Sequence, residues 1–339
     1  METVLGSATA GIISRIFTHP LDTAKAKLQA PVTSPANNTA KPIFRGPVDA
    51  IYKTFIREGV RGLYRGFGAV IVGGTPGTIL YLCSYEAIKG RLSHGNAAGD
   101  DSSHQLKNFG VHFSSGLLAE AVACIIYVPV DVVKERLQVH SLSIRAKDGS
   151  NSPKQSAPSP VAYRGSWDAL KTIVRTEGIA GIYKGYGATL VSFGPFSALY
   201  FLFYEALKER AREIDSNYTD VSVDDASARG TDDGDISFPL LLSCSASAGA
   251  LASWLTSPLD MAKLRLQIQR GTLTGGSNNQ VAYHGMIDCL RQAHKQSGIR
   301  GLFRGAGARV LYFTPFTTIV LTCFEKCRSF YAKILSSDD

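Results

Sequence analysis

An aspartate and a lysine three residues apart, each time just behind a proline, occur at three places: Asp22 and Lys25 after Pro20, Asp131 and Lys134 after Pro129, and Asp260 and Lys263 after Pro258. Residues i and i+3 are neighbours on a helix surface, so each copy sets an acid beside a base on one face. A second series follows aromatic residues: Glu86 and Lys89, Glu205 and Lys208, Glu325 and Arg328. The chemistry these residues suit is the reversible making and breaking of ion pairs. No nucleophile-base set and no Gly-x-x-x-x-Gly-Lys phosphate loop stands beside them, so bond-making catalysis is not expected.

Three copies of one unit must position these charges. The words Pro20–Gln29, Pro129–Gln138 and Pro258–Gln267 align residue for residue. Each is followed by an aromatic-x-Gly triplet, Phe44 to Gly46, Tyr163 to Gly165 and Tyr283 to Gly285. Twenty residues after each glycine comes the glycine of an aromatic-basic-Gly triplet: Tyr64-Arg65-Gly66, Tyr183-Lys184-Gly185 and Phe303-Arg304-Gly305. Twenty more reach Glu86, Glu205 and Glu325. Such periodicity means one domain of three repeats, over residues 1–92, 105–211 and 236–334.

Each repeat holds two stretches long enough to cross about 30 Å of hydrocarbon as helix. They run over 3–29 and 67–91, 108–139 and 186–210, and 238–269 and 306–332. The fold class expected is therefore an all-α membrane protein: six tilted transmembrane helices in three pseudo-symmetric repeats, with three short amphipathic surface helices, for instance at 48–58 and 167–177. Small residues such as Gly6 to Gly11 and Ser245 to Ala250 let helices approach closely. Pro20, Pro76, Pro129, Pro195, Pro258 and Pro315 are expected to bend every span. A mean hydropathy of +0.02 is low for a membrane protein. A bundle around a wet cavity accounts for it, because the inner faces are then polar.

The net charge of +8 is unevenly distributed. Lys41, Arg45, Lys53, Arg57, Arg61 and Arg65 crowd the first connection, whereas 213–235 is strongly acidic. Alternating basic and acidic connections suit opposite faces of a bilayer better than a nucleic-acid surface. The stretches 141–162 and 212–235, polar and proline-rich or acidic, are expected to be disordered. Six cysteines form no paired framework. Cys323 and Cys327 share a helix face, but with no acid or histidine at ligand spacing they read as packing residues and not as a metal site. The amino end has no basic leader ahead of an apolar core, and its first span carries Arg15, Asp22, Lys25 and Lys27. Internal targeting is expected, without a cleaved presequence.

Charges inside a membrane span are costly and point to function. Threefold symmetry brings Asp22, Lys25, Asp131, Lys134, Asp260 and Lys263 around one axis, where each acid meets a neighbour's base. The even helices repeat the arrangement at the other end with Glu86, Lys89, Glu205, Lys208, Glu325 and Arg328. Two gates, or static bracing, are the readings open. At the glycine triplets, helix-start amides and a cation suit a lipid phosphate, and plain capping turns are the alternative.

These motifs resemble the mitochondrial carrier family over essentially the whole chain, with one departure: Ser297 replaces the acid found as Glu58 and Glu177. The resemblance implies alternating access in the mitochondrial inner membrane, with both termini toward the intermembrane space, a matrix gate on the odd helices and a cytosolic gate on the even ones. It implies a monomer that binds a small-molecule substrate, no cofactor and no nucleic acid. It also implies cardiolipin at Phe44, Gly46, Arg65, Gly66, Tyr163, Gly165, Lys184, Gly185, Tyr283, Gly285, Arg304 and Gly305. It places substrate contacts seven and eight residues after each even-helix glycine: Gly73 and Gly74, Ser192 and Phe193, Tyr312 and Phe313.

None of those six is charged. Arg15 and Glu120 supply charge instead, seven residues before Asp22 and eleven before Asp131, steps that return to nearly the same helix face. Either they contact substrate or they pair with each other. The absence of basic contacts disfavours a nucleotide. A zwitterionic or cationic metabolite such as S-adenosylmethionine or an amino-acid-like compound fits better. Glu120 is similar to the S-adenosylmethionine carriers, and Tyr312 to the mitoferrins. Divalent-metal (iron, manganese, magnesium) or glutathione-linked transport, and a non-transporting scaffold, remain alternatives. His19 suits a metal or a structural hydrogen bond.

Overall fold

The computed structural model describes residues 2–30, 44–94, 101–148, 163–219, 237–269 and 283–335. Among them every regular element is a helix: α1 (Glu2–Gln29), α2 (Pro47–Leu63), α3 (Phe67–His94), α4 (Asp101–Asp148), α5 (Ser166–Ile182), α6 (Tyr186–Thr219), α7 (Phe238–Leu255), α8 (Ser257–Ile268), α9 (Met286–Leu302) and α10 (Ala306–Leu335). The long rods close into a ring, in which α1 touches α3, α3 touches α4, α4 touches α6, α6 touches α7 and α8, α7 touches α10, and α10 returns to α1. Each repeat thus gives one odd rod, one short surface helix and one even rod.

Proline acts unequally in the three odd rods. α1 and α4 run on through Pro20 and Pro129, whereas the third rod breaks at Thr256 and bends by 65° into α8. At the break the Thr256 amide and hydroxyl both turn back to the Ala252 carbonyl, the hydroxyl at 2.8 Å. The bend expected of Pro258 thus takes the form of a break, and 238–269 is covered by two helices, α7 and α8.

Among the described residues three helices, α3, α4 and α6, are long and apolar enough to cross a membrane, and the α7–α8 pair makes a fourth if counted as one broken span. α1 falls short because Arg15, Asp22, Lys25 and Lys27 lie along it.

α4 continues to Asp148 and α6 to Thr219, past positions 141 and 212 where disorder was expected to begin. The remainder of those two stretches, 149–162 and 220–235, lies outside the described residues.

The surface helices start and end alike. Asp49, Asp168 and Asp288 in their first turns accept the backbone amides of Arg45, Arg164 and His284 at 2.9, 2.9 and 3.0 Å. Those carboxylates satisfy donors just ahead of the helix start and sit at its positive end. Gly59, Gly178 and Gly298 have φ of 65°, 72° and 62°. A side chain there would be strained, so glycine lets each helix turn toward its even rod.

Phe44, Tyr163 and Tyr283 pack into the cores beneath these helices: Phe44 with Ala24 and Leu28, Tyr163 with Val133 and Leu137, Tyr283 with Ala262 and Cys289. Burying each ring contributes about 2–3 kcal/mol. They hold the surface helices to the odd rods instead of facing lipid.

Candidate functional site

The proline-linked charges of the odd rods converge at one end of the ring. Lys25 Nζ lies 2.8 Å from Asp260, Lys134 Nζ 3.0 Å from Asp22, and Lys263 Nζ 2.9 Å from Asp131. Each pair joins two different repeats, so the three together close that end. Their side chains are between 13% and 25% exposed, which places them between surface pairs and dry ones. Surface pairs contribute at most about 1 kcal/mol, and breaking a buried pair costs about 3–5 kcal/mol.

Two residues missed in the sequence reading reinforce the ring. Gln29 Nε2 donates to Asp260 at 3.3 Å, and Gln138 Nε2 donates to Asp22 at 3.4 Å and to Thr23 at 3.2 Å. The signal was present, because all three ten-residue words end in Leu-Gln. Gln267 departs from the pattern, with both amide atoms buried and unpartnered. Arg309 was also missed. It lies 3.7 Å from Asp260 and over the Phe196 ring at 5.5 Å, where the other repeats have Val70 and Thr189.

An outer layer backs the ring. Lys27 Nζ meets Glu58 at 2.6 Å, with Arg65 at 3.7 Å on the same carboxylate. Arg136 forks onto Glu177 at 2.5 and 3.1 Å, and Lys184 meets it at 2.8 Å. Burial pushes the Glu177 carboxyl up, but hydrogen bonds from Arg136 and Lys184 outweigh it and hold the group below the ordinary carboxylate range. Arg65 and Lys184, expected at a lipid headgroup, are therefore engaged by protein carboxylates. Tyr64 and Tyr183 donate their hydroxyls to the carbonyls of Ile16 and Ile125, both at 3.0 Å, tying each triplet to its odd rod. Gly66, Gly185 and Gly305 have φ of 86°, 81° and 87°. Gly46, Gly165 and Gly285 are the residues just ahead of α2, α5 and α9.

At the opposite end, Glu86, Lys89 and Glu205 make no ion pair among the described residues. Lys89 lies over the Tyr85 ring at 5.9 Å and Lys208 over Tyr204 at 5.8 Å. The side chains of Glu325 and Arg328 lie outside the described residues.

Between the two ends, Arg15, Thr18, His19, Asp22, Lys134 and Tyr312 line one pocket. Glu120 lies on its own side, receiving a contact from the Cys124 thiol at 3.6 Å and within electrostatic range of Lys263 and Asp131. Arg15 and Glu120 form no ion pair, so their mutual bracing is excluded in this state. Tyr127, bonded to Thr78 at 3.0 Å, lies within electrostatic range of both.

Gly73 faces Val130 and Gly74 faces the Arg15 guanidinium; a Cβ added at Gly74 would come within 2.9 Å of Nη1. Ser192 is buried and Phe193 half-buried, and Phe313 packs on Phe196 with ring centres 5.0 Å apart. His19 Nε2 meets the Arg65 carbonyl at 3.3 Å and its ring packs between Tyr64 and Phe67. Those contacts favour the structural reading of His19. Among the described residues no three His, Cys, Asp or Glu side chains converge as a metal site.

A threefold ring of inter-repeat ion pairs on proline-marked helices agrees with comparison to known sequences. A family model described as mitochondrial carrier protein matches residues 1–96, 105–214 and 234–335. The chain belongs to the mitochondrial carrier family. This carrier is 30% identical over 327 residues to the mitochondrial basic amino acids transporter of Rattus norvegicus, covering 94% of the chain and 88% of that relative. It is 28% identical over 331 residues to the mitochondrial S-adenosylmethionine carrier protein of Xenopus tropicalis, covering 96% and 94%. It is 26% identical over 322 residues to mitoferrin-1 of Danio rerio, covering 94% and 81%. Members of this family are transporters of small solutes, and these relatives are mitochondrial membrane proteins.

Proposed function

We propose that this carrier moves a small zwitterionic or cationic metabolite, such as a basic amino acid or S-adenosylmethionine, across the mitochondrial inner membrane. The observation that carries this reading is the separation of Arg15 from Glu120 above a closed ring. A half-buried cation and a half-buried acid that do not neutralise each other favour outside partners. A ligand with one carboxylate and one or more amines supplies both. The names of the basic amino acids transporter and the S-adenosylmethionine carrier lean the same way.

In this reading six rods span the bilayer, α7 and α8 serving as one, with both termini toward the intermembrane space and the Asp22 ring toward the matrix. The Glu86 ring is the opposite gate. Substrate entering from that side meets Arg15, Glu120 and Tyr312, with Gly73, Gly74, Ser192, Phe193 and Phe313 shaping the walls. Closing the outer ring then compensates for opening the inner one. Moving a two-state equilibrium from 1:99 to 99:1 takes about 5.5 kcal/mol of differential binding. Several charge-assisted contacts to substrate supply energy of that order. The monomer is the working unit, and cardiolipin phosphates are bound by helix-start amides near Gly46, Gly165, Gly285 and the paired glycines Gly66, Gly185 and Gly305.

A thermal-shift screen of purified protein over basic amino acids, S-adenosylmethionine, thiols and divalent cations, followed by uptake of labelled hits into proteoliposomes, tests the proposal. A stabilising amine-carboxylate ligand that accumulates inside sustains it. Accumulation of a metal ion or a thiol alone, or of nothing, contradicts it.

A further inference from the structure

The outer charge layer has the same construction in two repeats and a gap in the third. Lys27 and Arg65 share Glu58, and Arg136 and Lys184 share Glu177. In the third repeat the two cations are present as Arg265 and Arg304, and the acid is Ser297. The backbone places Ser297 where the glutamates stand: a Cβ added at Gly301 would meet Ser297 Cβ, as one at Gly62 would meet Glu58 Cβ and one at Gly181 would meet Glu177 Cβ.

Arg265 is only 7% exposed, its Nε directed at the Gln29 carbonyl at 3.3 Å, and it lies beside Tyr283. Arg304 is half-buried and near enough to Arg265 for the two to repel. No carboxylate lies within ion-pair distance of either among the described residues. Burying guanidinium groups without a counter-charge is costly, and each presents several donors in a planar fork suited to oxyanions. Removal of the glutamate side chain also leaves space, since Ser297 is short and exposed.

We propose that Arg265 and Arg304 bind a phosphate-type anion in the place that Glu58 and Glu177 fill in the other repeats. The anion completes the third outer bridge behind the ion-pair ring, so its binding strengthens the closed state at that end. Because Arg265 follows Lys263 by two residues on α8 and touches α1 through Gln29, the site acts on the junction between the third and first repeats.

The test is thermal unfolding of the purified full chain in detergent with inorganic phosphate, against chloride at equal ionic strength, and separately with vesicles of phosphatidylcholine alone or with phosphatidic acid. Ligand that binds only the folded form raises Tm saturably. The expected results are a phosphate-specific rise in the wild type, a higher starting Tm with no phosphate increment in Ser297→Glu, and loss of the increment in Arg304→Gln. A rise with phosphatidic acid but not free phosphate, removed by the same substitutions, also supports the site and assigns the anion to a lipid headgroup. Absence of any rise with either source overturns the proposal, as does an increment that survives both substitutions. Ordinary substrate binding in the central pocket leaves the Ser297→Glu increment intact, so the two are distinguishable.

Discussion

The ammonium of Lys134 on α4 lies 3.0 Å from the carboxylate of Asp22 on α1, latching the second repeat to the first. Gln138, one helical turn beyond Lys134, donates to the same carboxylate, so the acid is held by charge and by hydrogen bond at once.

Lys134→Gln removes the charge and leaves Asp22 with its amide partner alone. The expected loss of stability is about 1–3 kcal/mol, between the surface and buried limits. Thermal unfolding in detergent measures it, and exchanging the charges as Asp22→Lys with Lys134→Asp is expected to recover most of the loss.

Gly73→Ala drives a methyl into Val130 on α4, because the two rods touch there. Overpacking costs about 1–3 kcal/mol. Gly74→Ala presses only on the end of a flexible arginine, so it is expected to spare Tm and to lower uptake by displacing Arg15. Measuring both quantities for both variants separates a packing glycine from a substrate-lining one.

Glu177 bridges Arg136 and Lys184, and its carboxyl is held below the usual carboxylate range. A group with a depressed folded-state pKa stabilises above its unfolded value and loses that contribution as pH falls through the folded one. Glu177→Gln is therefore expected to lower Tm at neutral pH, and the gap from wild type is expected to narrow below about pH 4. A gap that persists unchanged well below that pH removes the electrostatic explanation of this bridge.

Arg15 and Glu120 do not touch, so removing one should not rescue the other. A double-mutant cycle with Arg15→Gln and Glu120→Gln is expected to be additive in stability within about 0.5 kcal/mol, as for independent sites. Each single variant is expected to reduce uptake, and the relative affinity for cationic over neutral amino acids is expected to fall chiefly in Glu120→Gln.

Much of this arrangement was legible because repetition makes spacing visible. Pro20, Asp22 and Lys25 recur with the same offsets, so the ring followed from helical periodicity and symmetry. The departures were harder to read because they are unrepeated: Arg309 on Asp260 has no counterpart in the other repeats, and the bend expected of every proline becomes a full break in one odd rod of three. The rings of Phe44, Tyr163 and Tyr283 suit a lipid site by sequence and pack in the cores instead, since sequence distinguishes poorly between a ring under a surface helix and one above it. Whether Arg15 met Glu120 depended on three-dimensional separation across the pocket, which no spacing along the chain specifies.

The proposed transport cycle requires two opposed rings that exchange. The most direct measurement is oxidative cross-linking of Lys89→Cys with Glu205→Cys, in wild-type background and with Lys134→Gln and Lys263→Gln added. Weakening the closed ring is expected to raise the cross-linked fraction several-fold, because the population shifts toward the state in which α3 and α6 meet at the other end. A cross-linked fraction that stays the same when the Asp22 and Asp131 pairs are broken would contradict it.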